Sequence, residues 1–279
     1  MFDYHVHSEF SIDCKVPMAD SCRAAIAAGV TEIAFTDHVD HEPADPGFGY
    51  YRVERYLRAV EVVRAAFGDR LTILAGAEVD FNERIVAQVD AFLANYGDAY
   101  DLVIGSVHYG DGGEIIFPAY FSERSLDEVF VPYLHQVKLA VESGWFSTIG
   151  HLDLPKRYAP RSHRDYDPMA YREALAPVFA ALIAQGVAFE INTSGLRQTP
   201  KASLPGPAIV RWYVEAGGSL ITTGTDSHAA QTVGAGLPTT LAMLELCGVD
   251  SLAAFKGRQR RQVPIADLWR PKEGGGLRP

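Results

Sequence analysis

Phe2-Asp3-Tyr4-His5-Val6-His7 opens the chain as a short apolar run that closes on two histidines one residue apart. Its composition is that of a strand, and residues i and i+2 of a strand point to the same side. His5 and His7 therefore present two imidazoles together at the carboxyl end of the run. Such a pair can clasp one metal ion, although HxH alone is a weak signal. Its weight depends on what ends the other strands.

Working outward, the same kind of run returns at 32–36, 71–76, 102–107, 148–151, 188–192 and 219–224. Each is followed by a loop and a helical pattern, near 20–28, 53–67, 85–95, 126–143, 169–185, 207–216 and 239–246. Ser125 with Glu128 reads as a capping box, and Gly29, Gly68, Gly144, Gly186, Gly217 and Gly248 stand where helices end. Strand and helix in strict alternation predict βα units around a parallel sheet. With 279 residues and no Pro-, Gly- or Ser-rich linker, the expectation is one α/β barrel domain over 1–279, its tail 274–279 mobile.

The ligand-type residues fall at successive strand ends. His5 and His7 end the first, Asp37 and His38 the second, Glu78 follows the third, His108 the fourth, His151 and Asp153 the fifth, Asp226 and His228 the seventh. Strand C-termini of a parallel barrel share one face, so these residues converge there. Carboxylates and imidazoles crowded together repel or take up protons unless cations join them. Nitrogen and oxygen donors without thiolate suit Zn, Mn or Fe and do not select among them. The longer connections 39–52 and 109–124 are placed to cover this face.

Composition narrows the partners. A net charge of −10 with scattered basic residues gives no phosphate-backbone footprint, so no nucleic acid partner is expected. No apolar run approaches a membrane span, and the start of the chain has no signal-peptide pattern. Three cysteines without a CxxC pair read as reduced thiols, and the expected location is cytoplasmic. Oligomeric state is not legible.

The segments Asp3-Tyr4-His5-Val6-His7, Phe35-Thr36-Asp37-His38, Gly76-Ala77-Glu78, Ser106-Val107-His108, Gly150-His151-Leu152-Asp153-Leu154-Pro155-Lys156, Asn192-Thr193-Ser194-Gly195-Leu196-Arg197 and Thr225-Asp226-Ser227-His228 together resemble the polymerase and histidinol phosphatase (PHP) superfamily. The likeness is greatest to its monofunctional histidinol-phosphate phosphatases. It implies a distorted (β/α)7 TIM-like barrel carrying up to three metal ions at the C-terminal face of the strands. By resemblance, His5, His7, Glu78 and Asp226 hold one ion. Glu78, His108 and His151 hold a second, and Asp13, His38 and His228 a third. Asp13 departs from the pattern, since many relatives resembling this chain have histidine there; it reads either as a ligand or as an ordinary loop aspartate.

The activity so implied is phosphomonoester hydrolysis, with L-histidinol phosphate as substrate in histidine biosynthesis. Asp37 and Asp153, each beside a proposed ligand histidine, are expected to accept a ring N–H or to protonate the leaving group. Arg157 and Arg197, just past strands, are expected to fork onto phosphate. His41 and Tyr109 are candidate substrate contacts, and Phe117, Tyr120 and Phe121 either stack on a substrate ring or pack the cover loop. His135 and His163 read as structural or solvated. The rival readings are a phosphoesterase for another ester, a metal-dependent amidohydrolase, and a non-catalytic PHP-like binding module. The second usually has a bridging lysine, and no lysine ends a middle strand here. The third predicts eroded ligands.

Overall fold

All residues of Leu102–Ser106 and of Ala188–Asn192 are buried, and strands covered on both faces belong in a parallel sheet with helices outside it. That is the arrangement seen in the computed structural model, which describes residues 1–160 and 166–269. The strands are β1 (Phe2–Val6), β2 (Glu32–Phe35), β3 (His38–Val39), β4 (Thr72–Asp80), β5 (Leu102–Ser106), β6 (Thr148–Ile149), β7 (Ala188–Asn192) and β8 (Ile221–Gly224). They run in the order β1-β2-β4-β5-β6-β7-β8, each paired in parallel with the next, and β3 pairs with the second half of β4. Beyond β8 the chain returns to β1: the Asp226 amide donates to His5 O at 2.7 Å and the His7 amide to Ser227 O at 2.9 Å. The result is a nearly closed, irregular barrel of the expected class.

Outside it lie α1 (Met18–Ala27), α2 (Val53–Phe67), α3 (Val86–Tyr96), α4 (Leu126–Glu142), α5 (Pro155–Tyr158), α6 (Arg172–Gln185), α7 (Ser194–Arg197), α8 (Pro207–Glu215) and α9 (Leu237–Leu246). In α2 the buried residues Val53, Tyr56, Val60, Val63 and Phe67 alternate steps of three and four, a single helical stripe against the sheet. The Ser125–Glu128 capping box opens α4 in both directions. Gly186 ends α6 at φ 63°, as a C-terminal glycine should, whereas Gly68 after α2 keeps right-handed geometry at φ −64°. One contiguous hydrophobic cluster runs from Met1 to Ile265. Among the described residues no helix is long and apolar enough to cross a membrane, and all three cysteines are free.

Two features differ from expectation. β4 does not stop at Gly76 but continues to Asp80, because it is flanked by β2 over its first half and by β3 and β5 over its second. Glu78 is therefore inside a strand. The chain also ends its described part in an antiparallel hairpin, β9 (Ser251–Lys256) and β10 (Gln259–Pro264). Gly257 at φ 52° and Arg258 at φ 60° make its two-residue turn, a left-handed pair that Gly-Arg signals less clearly than Asn-Gly. Arg261 reaches Glu32 at the start of β2, so the hairpin packs at the end of the barrel opposite the strand C-termini. The tail 274–279 and His163 lie outside the described residues.

Gly105 of β5 points away from the barrel interior that Ser106 faces, and a Cβ there would overlap the buried Phe146 ring behind the strand. Gly105→Ala should lose about 1–3 kcal/mol of stability by overpacking. Thermal unfolding of the purified variant checks this; an unchanged midpoint would contradict the packing described.

Candidate metal centre

Period-two geometry brings the first ligands together: on β1 and just beyond it, His5 and His7 both turn inward, with Nε2 atoms 3.1 Å apart. Glu78 comes from β4, next but one to β1 in the sheet, and its two oxygens serve different neighbours. Oε2 lies 3.1 Å from His5 Nε2, 3.4 Å from His7 Nε2 and 3.1 Å from His38 Nδ1. Oε1 lies 3.1 Å from His151 Nε2 and 3.5 Å from His108 Nε2. Asp226 Oδ1 completes the first group, 3.4 Å from His7 Nε2. Asp226 stands at φ 52°, a left-handed conformation that Asp tolerates better than most residues, two residues after the end of β8. At the outer edge, Asp13 Oδ2 is 3.0 Å from His228 Nε2 and 3.7 Å from His38 Nε2. All nine expected ligands thus converge, and Asp13 belongs to the outermost group, half exposed.

The chemistry of this set fits cations. Glu78 Oε2, His38 Nδ1 and His228 Nε2 are buried atoms with no hydrogen-bond partner despite close imidazole and carboxylate neighbours. Behind the ligands, Glu190 Oε1 accepts from His5 Nδ1 at 2.8 Å and Asp80 Oδ1 from His108 Nδ1 at 2.5 Å. Ser11 Oγ gives its proton to Asp37, so it accepts from His7 Nδ1 at 2.8 Å. These partners fix the tautomers that leave Nε2 facing inward. Without cations, protons take their place. Burial lowers the basicity of His108, yet Asp80 and Glu78 outweigh it and raise the imidazole to about 9. His228 likewise rises to about 9, burial being outweighed by Asp13 and Asp226. His7, buried beside His228 and His38, is pushed down to about 3 and stays neutral.

A cavity of about 290 Å³ opens above the centre. Its floor is Glu78, His108, His151, Asp226 and His228; its walls come from the two long connections, Asp40, Asp45 and Pro46 on one side and Ile115, Ile116 and Phe117 on the other. Arg157 and Tyr158 of α5 close the rim, with Phe117 and Tyr158 edge to face at 5.3 Å. Burial, together with the Asp80 carboxylate, pushes Asp40 up to about 10, so that this acid pair keeps a proton.

Several expected contacts are placed elsewhere. Asp37 touches no imidazole: it accepts from Ser8 N, Ser8 Oγ and Ser11 Oγ at 2.6–2.9 Å, because adjacent residues leaving a strand point in opposite directions. Asp153 turns away from the metal ligands, bonding Lys156 Nζ at 2.6 Å beside a separate cavity. Arg197 does not reach the mouth; its Nη2 donates to Thr225 O at 2.6 Å and so braces the turn that carries Asp226. Arg157 does reach it, with Nη2 2.6 Å from Asp226 Oδ2 and Nε unpartnered. Tyr109 is buried, its hydroxyl joining Asp80 at 2.6 Å and Asp45 at 2.9 Å, and His41 packs on Phe92 outside the cavity lining. Of the loop aromatics, Phe117 lines the cavity while Tyr120 and Phe121 are buried. His135 is exposed on α4.

The family model described as PHP domain matches residues 3–194. The chain belongs to the PHP domain family. A relative from Deinococcus radiodurans named "Probable histidinol-phosphatase" is 32% identical over 83% of this chain and 88% of its own. The histidinol-phosphatase of Lactococcus lactis is 30% identical over 91% of this chain and 94% of its own. The crystal structure of the L. lactis histidinol phosphate phosphatase, complexed with zinc, L-histidinol and phosphate, superposes with a TM-score of 0.84 at 27% identity, over 93% of this chain and 98% of that one.

As metal ligands His108 and His228 would have to be neutral, so ion uptake there would expel the protons they hold up to about pH 9. Calorimetric titration of chelated protein at pH 7, in buffers of different ionisation enthalpy, should report proton release on binding Mn or Zn. Affinity should fall steadily as pH is lowered below about 9. Binding without proton release would contradict the assigned ligands.

Proposed function

We propose that this PHP chain is a metal-dependent phosphomonoesterase that hydrolyses L-histidinol phosphate to L-histidinol and phosphate. The observation that carries this reading is the cavity itself: a floor of carboxylates and imidazoles fitted to cations, with an arginine at its rim, in a chain that overlays on the L. lactis enzyme nearly end to end. The proposed ligands are His5, His7, Glu78 and Asp226 for one ion, Glu78, His108 and His151 for a second, and Asp13, His38 and His228 for a third. Zinc is supported by the L. lactis complex. Mn and Fe suit the same donors.

When bound, the ions supply a nucleophile from water and positive charge for the phosphoryl oxygens. The chain does the rest. Arg157, anchored through Nη2 to Ser194 and Asp226, lines the cavity and holds its guanidinium where a phosphate oxygen would accept from it. Asp45 puts negative charge on the wall where the ammonium and imidazole of the leaving alcohol would lie. Phe117 and Tyr158 give that ring an aromatic wall. No lysine is among the residues lining the cavity, which disfavours the amidohydrolase pattern, and the complete ligand set disfavours a degenerate binding module. A small metabolic substrate and three unpaired cysteines suit the cytoplasm.

Metal-replete protein screened against a panel of phosphomonoesters should release phosphate fastest from histidinol phosphate, and lose turnover on chelation. Equal rates on esters without a cationic group would overturn the substrate, and full turnover in verified metal-free protein the reaction. Arg157→Ala should lower kcat/KM by about a hundredfold to a thousandfold, the loss of one donor to a transferring phosphoryl group. Arg197→Ala, removing a brace to a backbone carbonyl worth ~1 kcal/mol, should cost less than about tenfold. Steady-state kinetics with metal content measured in parallel separates them; the reverse order would return Arg197 to the phosphate.

A further inference from the structure

We infer that Glu190 is a positioning residue shared by two metal positions, so that the first and second ions are held as a coupled pair. Glu190 lies on β7, whose strand end carries none of the nine proposed ligands, and it is 1% exposed. Both of its oxygens are committed. Oε1 accepts from Nδ1 of His5, a proposed ligand of the first ion, at 2.8 Å. Oε2 accepts from the backbone N–H of His151, a proposed ligand of the second, at 2.9 Å, and from Asn192 Nδ2 at 3.1 Å. Asn192 Nδ2 in turn lies 3.3 Å from Asp226 Oδ2, and Asn192 Oδ1 accepts from the Ser194 hydroxyl that also meets Arg157. One carboxylate therefore orients a ring in the first set and sets the backbone that carries a ring in the second.

The neighbouring strand is built around it. A Cβ at Gly224 of β8 would overlap Glu190 Oε1 and His5 Cβ, so the absence of a side chain there makes room for this pair. The other carboxylate behind a ligand, Asp80, has no such double role toward the ions. It meets the ring of His108 in the second set alone. A glutamine cannot replace Glu190, because three donors face its two oxygens and an amide keeps only one accepting oxygen.

The inference rests on the metal-centre reading above but not on the substrate. Its test is a competition titration of chelated protein with Zn and a chromophoric chelator, yielding stepwise affinities for wild type, Glu190→Gln, Glu190→Asp and Asp80→Asn. Loss of a partner behind a ligand typically weakens an ion by ten- to a hundredfold. Glu190→Gln should weaken two ions by that factor together, and Asp80→Asn only one. Thermal midpoints with and without metal provide the second readout: the deficit of the Glu190 variants should appear mainly in the metal-loaded protein, whereas a merely structural role lowers both states equally. Wild-type protein binding fewer than two ions would overturn the metal-centre reading itself. Two ions bound with undiminished affinity by Glu190→Gln or Glu190→Asp, or weakening of one ion alone, would overturn the coupling only.

Discussion

A single buried carboxylate, Glu78, sets the terms for the rest of the structure. It is 1% exposed, and imidazoles from β1, β3 and the ends of β5 and β6 all lie within 3.5 Å of its two oxygens. Burying that charge is costly unless positive charge joins it, and the surrounding histidines hold it well below the usual carboxylate range. The long strand β4 exists to carry it there: pairing with β2 below and with β3 and β5 above keeps the backbone extended to Asp80. Ser106 Oγ, 2.5 Å from Oε1, fixes the rotamer.

This arrangement explains why the site was readable from sequence. Parallel strands deliver their C-terminal residues to one face whatever their separation along the chain, so a list of strand ends was nearly a list of ligands. His5 and His7 follow from period two. The same rule applied to Glu78-Val79-Asp80 and to Glu190-Ile191-Asn192 would have found the carboxylates behind the ligands, had β4 been carried to its true end and β7 been expected to contribute. Asp37 and Asp153 neighbour His38 and His151 in sequence, yet neither accepts from those rings. Adjacency was the wrong guide, since neighbouring side chains at a strand end diverge, one to the ions and one to the loop behind. Arg197, expected on the phosphate, departs from that for a related reason: a long side chain at a strand end can lie over the mouth or fold back, and the Thr225 carbonyl holds it back. The β9–β10 hairpin was hidden by the weak turn signal of Gly257-Arg258.

The cavity divides its labour by charge. On the proposed reading, the carboxylates and imidazoles of the floor take up cations in place of protons, Arg157 at the rim would answer the anionic half of a substrate, and Asp45 on one wall a cationic half. A phosphate ester of an amino alcohol carries both. The net charge of −10 is thus no obstacle to an anionic ligand, because the charge that meets the phosphate is local and comes with the ions.

If Glu78 is shared by cations rather than by protons, anomalous diffraction from crystals of zinc-loaded protein, recorded on both sides of the zinc edge, should show one peak within about 2.0–2.2 Å of Glu78 Oε2 and the Nε2 atoms of His5 and His7, and a second at like distances from Glu78 Oε1, His108 and His151. Zinc bound only elsewhere, with Glu78 left hydrogen-bonded to protonated imidazoles, would contradict it.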